Sequence, residues 1–148
     1  ELIKIPGLDG SGKMGKSEGN AIYLADSPKE VEKKVKRALT DSGPTEPNSV
    51  KPDYIENLFT IMRAVSTPDV VQHYENKWNS CEIRYGDMKK QLAGDIIKVT
   101  SPIRERILEI EKDDAYLRKV TKEGAEKARE SASKTITAVR KIVGFKKF

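Results

Sequence analysis

From residue 26 almost to the end of the chain, apolar residues recur every three or four positions, the spacing of helices that bury one face. A first helix is predicted from Ser27, where Ser27 and Glu30 form a capping box around Pro28, to about Leu39. The stretch 41–52 carries three prolines with Gly and Asn, which predicts a long loop. The pattern predicts further helices from about residue 54 and from Pro68 to about 80.

Two longer helices are predicted in the second half of the chain. The longest runs from Asp87 to about Lys112, and Pro102 within it is expected to kink or restart the helix. The last covers about 121–143 and ends at Gly144. Their predicted inward positions are Met88, Leu92, Ile96, Val99, Ile103, Ile107 and Ile110 in the first, and Ala125, Ala128, Ala132, Ile136, Val139 and Val143 in the second.

The first 25 residues have a different pattern. Two short apolar runs, 2–5 and 21–24, flank a loop that contains five glycines, and each run is typical of a short strand or strand-like segment. The sequence therefore predicts a mainly α protein, an antiparallel helical bundle over 26–148, preceded by a non-helical loop module over 1–25.

Composition narrows the class of protein. The 148 residues are 34% charged with a net charge of +5, and no apolar run approaches the roughly 18 residues of a membrane span. Cys81 is the only cysteine and His73 the only histidine, so neither an intramolecular disulfide nor a zinc site is expected. We expect no protein metal site, no leader peptide and a cytoplasmic protein. Because the chain opens on Glu1, we also expect it to be part of a longer one.

Residues 10–17 satisfy the phosphate-loop pattern G-x-x-x-x-G-K-S, which on its own would indicate an NTPase. A phosphate loop must follow a buried strand and open directly into a helix. Here Ser17 is followed by Glu18-Gly19-Asn20 and an apolar extended run, and no later segment predicts a parallel sheet. The NTPase interpretation is therefore disfavoured.

The same loop admits a second interpretation. Residues 13–17 read KMGKS, which resembles the KMSKS signature of class I aminoacyl-tRNA synthetases, with Gly15 in place of Ser. The flanks 6–10 and 18–24 resemble the surroundings of this loop in bacterial tryptophanyl-tRNA synthetases. Further segments match that family in order, namely 40–42, 85–90, 102–106, 124–128 and 132–135.

The resemblance implies an ATP-dependent tryptophan–tRNA ligase. Lys13 and Lys16 would stabilise the charge that develops on departing pyrophosphate, as the catalytic cations of the loop. Ser17 would donate to a phosphate oxygen, Met14 would anchor the loop in an apolar pocket, and Gly15 would offer its backbone N–H. The implied ligands and partners are ATP with Mg²⁺, tryptophan and tRNA(Trp), and the implied assembly is a homodimer.

The resemblance also implies that the chain is incomplete. The HIGH signature of the family needs two histidines, whereas this chain has only His73. Residues 1–25 would be the KMSKS-bearing end of a Rossmann-type catalytic domain, and 26–148 the helical anticodon-binding domain. The tryptophan site would lie in an N-terminal part outside the chain, and we expect the chain alone to be inactive.

Binding of tRNA would use the basic helices. Arg104, Arg106 and Lys127 lie in segments that match the family, although each is also placed to cap or bridge helices. By charge alone these helices are more typical of a solvated surface than of an RNA-binding one. Two rival functions stay open: a tyrosyl-tRNA synthetase fragment, and a stand-alone basic helical RNA-binding module.

Overall fold

Five helices and no strand are present in the computed structural model, which describes residues 4–145. The predicted mainly α fold is confirmed. None of the helices in this described part is long and apolar enough to cross a membrane. In chain order the helices are α1 (Pro28–Lys36), α2 (Asp53–Val65), α3 (Pro68–Asn79), α4 (Tyr85–Glu111) and α5 (Asp114–Val143).

The helix starts follow the local sequence signals. Glu30 N donates to Ser27 Oγ at 3.3 Å, and Ser27 N donates to Glu30 Oε2 at 2.7 Å, so the predicted capping box is confirmed. Helix α3 starts at Pro68 as predicted, but the Thr67 side chain forms no capping hydrogen bond with the described residues. Gly144 ends α5 in the left-handed conformation, with φ of 80°.

The predicted strand-like runs are not strands. In the first run Leu2 and Ile3 lie outside the described residues, and Lys4, Ile5 and the run 21–24 form no strand. These segments form isolated backbone hydrogen bonds instead of the repeated ones of a β-ladder. Met14 N donates to Ile5 O at 3.0 Å, and Leu8 N donates to Asn20 O at 3.2 Å. A strand needs a continuous partner, and single bonds between loop segments do not supply one.

Helix α4 passes through Pro102 without a break, so the predicted restart is wrong. A proline removes one N–H and frees the carbonyl four residues earlier, which here belongs to Lys98. Pro102 and Lys98 are both exposed residues, so the proline lies on a solvent-facing part of α4 and does not disturb the packing of the core.

Helix α5, with 30 residues, is longer than α4, with 27, and it starts at Asp114 rather than near 121. The predicted order of lengths is therefore wrong. Asp113 is the missed start signal, because its carboxylate accepts from Tyr116 N at 2.9 Å and caps the helix.

One hydrophobic core joins helices α1 to α4 with the loop module. Val35 and Phe59 are fully buried in it, together with Trp78, and Leu8 from the N-terminal loop belongs to the same cluster. The side chains that fill the core are contributed by four helices and a loop: Leu8, Val31, Val35, Ala38, Ile55, Leu58, Phe59, Ile61, Met62, Trp78, Met88, Leu92, Ala93 and Ile96.

The fully buried residues of α4 all lie in its first half. Met88, Leu92 and Ile96 are buried, whereas Val99 is 48% and Ile103 41% exposed. Ile107 and Ile110, further along the helix, are half-buried. Helix α5 contains no buried residue, so its predicted inward positions are exposed. The periodic pattern thus located both helices but did not determine which faces the described part of the chain covers.

Loop 41–52 is held to the helices by side chains. Tyr85 Oη and Tyr54 Oη donate to the Asp41 carboxylate at 2.7 and 2.9 Å, and Trp78 Nε1 donates to Ser49 O at 2.8 Å. The loop that the proline-rich sequence predicts is therefore present and tied to the core at both ends.

The chain divides into two compact units, Glu1–Glu105 and Arg106–Phe148, with the division inside α4. The predicted functional division at 25/26 is a different one and stays a prediction. Within the first unit the loop module shares the core of the helices, through Leu8 and the partly buried Met14 and Ile22.

Candidate nucleotide-binding loop

The glycine-rich loop is anchored to the helices at several points. Leu39 N donates to Leu8 O at 2.9 Å, and Asn57 Nδ2, from α2, donates to Ser11 O at 3.2 Å. Met14 is partly buried and packs against the core cluster, as predicted for the apolar anchor of the loop. The loop therefore has a defined place on the surface formed by α1 and α2.

Two cationic side chains project from this anchored loop. Lys13 and Lys16 are exposed, and neither forms an ion pair with any residue between 4 and 145. Ser17, beside Lys16, is also exposed. Tyr23 Oη donates to the backbone carbonyl of Lys16 at 3.0 Å and holds the main chain there. Two unpaired ammonium groups and a hydroxyl on a fixed loop are suited to a multiply charged anion such as a triphosphate.

Asn20 is the hydrogen-bonding centre of the loop and is only 3% exposed. Its Oδ1 accepts from Gly15 N at 2.8 Å. Its Nδ2 lies 2.8 Å from Ser11 Oγ, 3.1 Å from Asp9 Oδ1 and 3.2 Å from Lys13 O. One buried amide therefore contacts the main chain on both sides of Met14, within the KMGKS segment, and the glycine turn before it.

Asp9 supplies the negative charge of this network. Its Oδ1 accepts from Ser11 Oγ at 2.6 Å and from Ser11 N at 3.1 Å. The hydrogen bonds from Ser11, and then the one from Asn20, stabilise the carboxylate and lower the pKa of Asp9. The carboxylate thus stays ionised and fixes the orientation of Ser11 and Asn20.

Gly15 leaves room for the Glu18 side chain. A Cβ at Gly15 would lie 2.7 Å from the Glu18 carboxyl carbon, so a side chain there would displace that carboxylate. Glu18 Oε2 is 3.3 Å from Asn20 Nδ2, and Glu18 N donates to Gly15 O at 3.3 Å to close a turn. The replacement of Ser by Gly in the KMSKS-like motif therefore fits a tight turn rather than a lost contact.

The geometry does not match a phosphate loop. After Ser17 the chain forms turns, and the next helix starts only at Pro28, so no helix N-terminus faces the loop directly. The Gly15 amide, which would have to face a phosphate, donates to Asn20 instead. Both features oppose the NTPase interpretation.

The three predicted RNA contacts have different surroundings. Arg104 Nε donates to Ala25 O at 3.2 Å and so bridges a helix to a loop. Arg106 Nη1 pairs with Glu109 Oε2 at 2.5 Å, and this hydrogen bond raises the pKa of Arg106. Lys127 is exposed and forms no ion pair within the described range 4–145. Arg104 thus bridges α4 to a loop, whereas Arg106 pairs within α4 itself, and RNA binding by any of the three stays a prediction.

Sequence reasoning located the two lysines but missed Asp9 and Asn20, which it treated only as flanks. The available signal was Asn20 itself, a polar residue at the start of the apolar run 21–24. Buried polar residues are normally hydrogen-bonded, but which groups would bond Asn20 depends on the path of the loop.

Comparison of the sequence with known families matches residues 4–101 to the family described as tRNA synthetases class I (W and Y). A tryptophan–tRNA ligase of Porphyromonas gingivalis is 62% identical over 144 residues, which are 97% of this chain and 44% of that protein. One from Clostridium longisporum is 37% identical over 152 residues, covering 98% of this chain and 43% of its own length. The chain thus spans less than half the length of these curated relatives.

Comparison of structures gives the same kind of neighbour. The crystal structure of a tryptophanyl-tRNA synthetase from Campylobacter jejuni, complexed with ADP and tryptophan, matches with a TM-score of 0.74 at 24% identity. The match covers 98% of this chain and 44% of that one. At 24% identity this match establishes the fold alone. The matched region includes both the helices and the glycine-rich loop of this chain.

Proposed function

The chain belongs to the class I tRNA synthetases for tryptophan and tyrosine, and from that membership we propose that the complete protein is a tryptophan–tRNA ligase. The 62% identity to a tryptophan–tRNA ligase over 97% of the chain supports tryptophan over tyrosine as the amino acid. Residues 1–25 would complete the edge of the catalytic domain, and 26–148 would form the anticodon-binding domain.

The observation that carries the proposal is that Lys13 and Lys16 are exposed on the anchored loop and form no ion pair in the described part of the chain. In amino-acid activation a carboxylate oxygen attacks the α-phosphorus of ATP, and the bond from that phosphorus to the pyrophosphate oxygen breaks. Negative charge then grows on the leaving pyrophosphate. Cations that meet this charge stabilise the transition state more than the ground state, which raises kcat rather than affinity.

Other loop residues would assist. Ser17, exposed next to Lys16, would donate its hydroxyl hydrogen bond to a phosphate oxygen, and Mg²⁺ would accompany the nucleotide. Met14, packed on the core, would hold the loop while the lysines follow the moving charge. The backbone N–H of Gly15 is engaged by Asn20, so its contribution would be to the shape of the loop.

The transfer step would use tRNA(Trp), bound by the helical region. Helix α5 contains eight Lys or Arg and four Asp or Glu, so most of the net charge of +5 lies in this one element. Lys127 is exposed, without an ion pair among residues 4–145, and would bind a phosphate. Arg106 would exchange Glu109 for a phosphate at small cost, because exposed ion pairs contribute little to stability. Arg104 would donate to a phosphate through its Nη groups, since its Nε donates to Ala25 O.

The remaining parts of the proposal rest on the family. The complete protein would be a cytoplasmic homodimer, and the tryptophan site and the histidine-bearing motif would lie outside these 148 residues. The chain alone would then not form aminoacyl-adenylate. A tyrosyl-tRNA synthetase would exchange pyrophosphate with tyrosine instead of tryptophan, and a stand-alone RNA-binding module would show no exchange with either.

Replacement of Lys16 tests the loop. In the complete enzyme Lys16→Ala should lower kcat for adenylate formation about 10²-fold, equivalent to roughly 2.7 kcal/mol of transition-state stabilisation. Lys13→Ala should act in the same direction, and the KM for tryptophan should stay unchanged because the amino acid binds elsewhere. Pre-steady-state measurement of adenylate formation provides the rates.

The matched control is Lys29→Ala, which removes an exposed lysine of α1 that forms no ion pair with residues 4–145, and it should leave the rate unchanged. Loss of ground-state ATP affinity in Lys16→Ala with an unchanged chemical step would contradict the proposed role and favour a phosphate-loop function.

A further inference from the structure

The buried amide of Asn20 holds both peptide groups that flank Met14. Its Oδ1 accepts from Gly15 N at 2.8 Å, and its Nδ2 lies 3.2 Å from Lys13 O. A donor and an acceptor on one planar group thus fix the main chain on either side of the anchor residue. The contact with Lys13 O is shared with Ser11 Oγ, 3.1 Å from the same carbonyl, whereas the contact with Gly15 N holds the start of the turn that carries Lys16.

We propose that Asn20 is a positioning residue for activation: its side-chain amide holds the KMGKS segment in the conformation that presents Lys13 and Lys16 to the phosphates. The inference rests on the proposed ligase function. It adds a residue outside the signature itself, which acts on the substrate only through the two lysines.

Asp9 and Ser11 hold the amide in one orientation. Ser11 Oγ donates to Asp9 Oδ1 at 2.6 Å, and Asn20 Nδ2 lies 2.8 Å from Ser11 Oγ and 3.1 Å from Asp9 Oδ1. With these acceptors on one side, the amide nitrogen must face Asp9 and the amide oxygen must face Gly15. An aspartate at position 20 would keep the acceptor but place a second carboxylate against Asp9, which is unfavourable.

The amide acts locally, because the loop has other attachments. Leu8 is buried in the core, Leu39 N donates to Leu8 O, and Asn57 Nδ2 donates to Ser11 O. Loss of the Asn20 amide would therefore leave the loop attached to the helices, with Met14 N still bonded to Ile5 O and Lys16 O to Tyr23, but would free the Gly15 amide between them. Asn57→Ala is the matched control, since it removes an asparagine that bonds the loop backbone outside the KMGKS segment.

Hydrogen exchange tests the contact without reference to activity. In the complete protein, Asn20→Ala should speed exchange of the Gly15 amide about fivefold or more, the factor that one ordinary hydrogen bond represents. Asn57→Ala should leave Gly15 unchanged. Equal protection of Gly15 in the wild type and in Asn20→Ala would overturn the proposal.

A double-mutant cycle tests the consequence for activation. Asn20→Ala should lower kcat for adenylate formation by about 10- to 100-fold at an unchanged KM for tryptophan, because misplaced groups lose rate rather than amino-acid binding. If Asn20 acts through the loop lysines, Asn20→Ala combined with Lys16→Ala should be slower than Lys16→Ala alone by no more than about threefold. Fully additive effects would overturn the positioning role.

Asn20→Asp keeps the size of the side chain and replaces Asn20→Ala in these experiments if the alanine variant does not fold. It should show the same kcat loss and the same lack of additivity with Lys16→Ala, and an unaltered kcat would overturn the proposal. Failure of the ligase function is recognised separately: a complete wild-type protein without tryptophan-dependent pyrophosphate exchange refutes that function, whereas the Gly15 exchange result still decides whether the amide holds the segment.

Discussion

Asp9 shows how a single exposed residue can organise a loop. Its carboxylate accepts from Ser11 and lies beside the Asn20 amide, and these hydrogen bonds hold the pKa of Asp9 below its ordinary value. A carboxyl group with a lowered pKa stabilises the folded loop at all pH values above the ordinary one. That contribution is lost as the pH falls through the lowered pKa.

Titration of Asp9 is therefore predicted to have a midpoint below that of an ordinary aspartate. The Asn20 side-chain amide resonances, followed by NMR, should shift with the same midpoint because the two groups are in contact. Ser11→Ala removes the hydroxyl that most lowers the pKa and should move the midpoint up toward the ordinary value. An ordinary midpoint in the wild type, unchanged by Ser11→Ala, would show that these hydrogen bonds do not form in solution.

At the scale of the helix, two N-terminal caps with similar sequences differ in structure. Ser27 accepts a hydrogen bond from Glu30 N, whereas the Thr67 side chain forms no capping bond with the described residues. Both precede a proline at the first helical position. The two sites therefore separate the contribution of the cap from that of the proline.

Ser27→Ala is predicted to lower the free energy of unfolding by about 1 kcal/mol, the ordinary contribution of a side-chain cap. Thr67→Ala should have a clearly smaller effect, because no capping bond is lost. Urea unfolding of the 148-residue chain measures both. Equal losses at the two sites would mean that the capping box of α1 contributes nothing measurable.

Helix α4 allows a similar comparison between two isoleucines on its predicted apolar face. Ile96 and Ile103 are the same residue type, two turns apart on the predicted inward face, but they are 4% and 41% exposed. The buried position fills the shared core, and the exposed one does not.

Ile96→Ala should cost about 2–5 kcal/mol, since it removes methyl groups from a packed core and leaves a cavity. Ile103→Ala should change the free energy of unfolding by no more than about 0.5–1 kcal/mol, because little buried area is lost and alanine favours the helix. Thermal or urea unfolding of the two variants decides the point. A large loss at Ile103 would indicate that the second half of the stripe is covered in solution.

At the scale of the whole molecule, the distribution of charge is the property that would govern binding to RNA. Helix α5 carries twice as many basic as acidic residues and buries none of its side chains. An exposed, positively charged helix attracts phosphates and releases their counterions on binding.

Binding of tRNA(Trp) to the complete protein is therefore predicted to weaken as salt rises, with the logarithm of the affinity falling linearly with the logarithm of the salt concentration. Lys127→Ala should weaken binding and reduce the slope by about 1, as expected for one lost phosphate contact. Filter binding or fluorescence anisotropy at several salt concentrations supplies the slopes. An affinity that is unchanged between low and physiological salt would contradict an RNA-facing helical region.

Local signals in the sequence determined the helical class, the start of α1 and α3, the end of α5 at Gly144, and the loop over 41–52. Caps, prolines and glycines act over a few neighbouring residues, so one sequence is enough to locate them. The KMGKS segment is also a local signal, but its interpretation needed the flanks 6–10 and 18–24, because the segment alone also satisfies the phosphate-loop pattern.

Burial and the hydrogen-bonding network were decided only by the tertiary structure. Whether Ile96 or Ile103 is buried depends on which other elements cover that face of α4, and the apolar period of the helix is the same in either case. The partners of the Asn20 side chain lie between two and eleven residues away along a loop without regular structure. The contacts of such a residue depend on the path of the whole loop, and neither spacing nor residue type specifies that path.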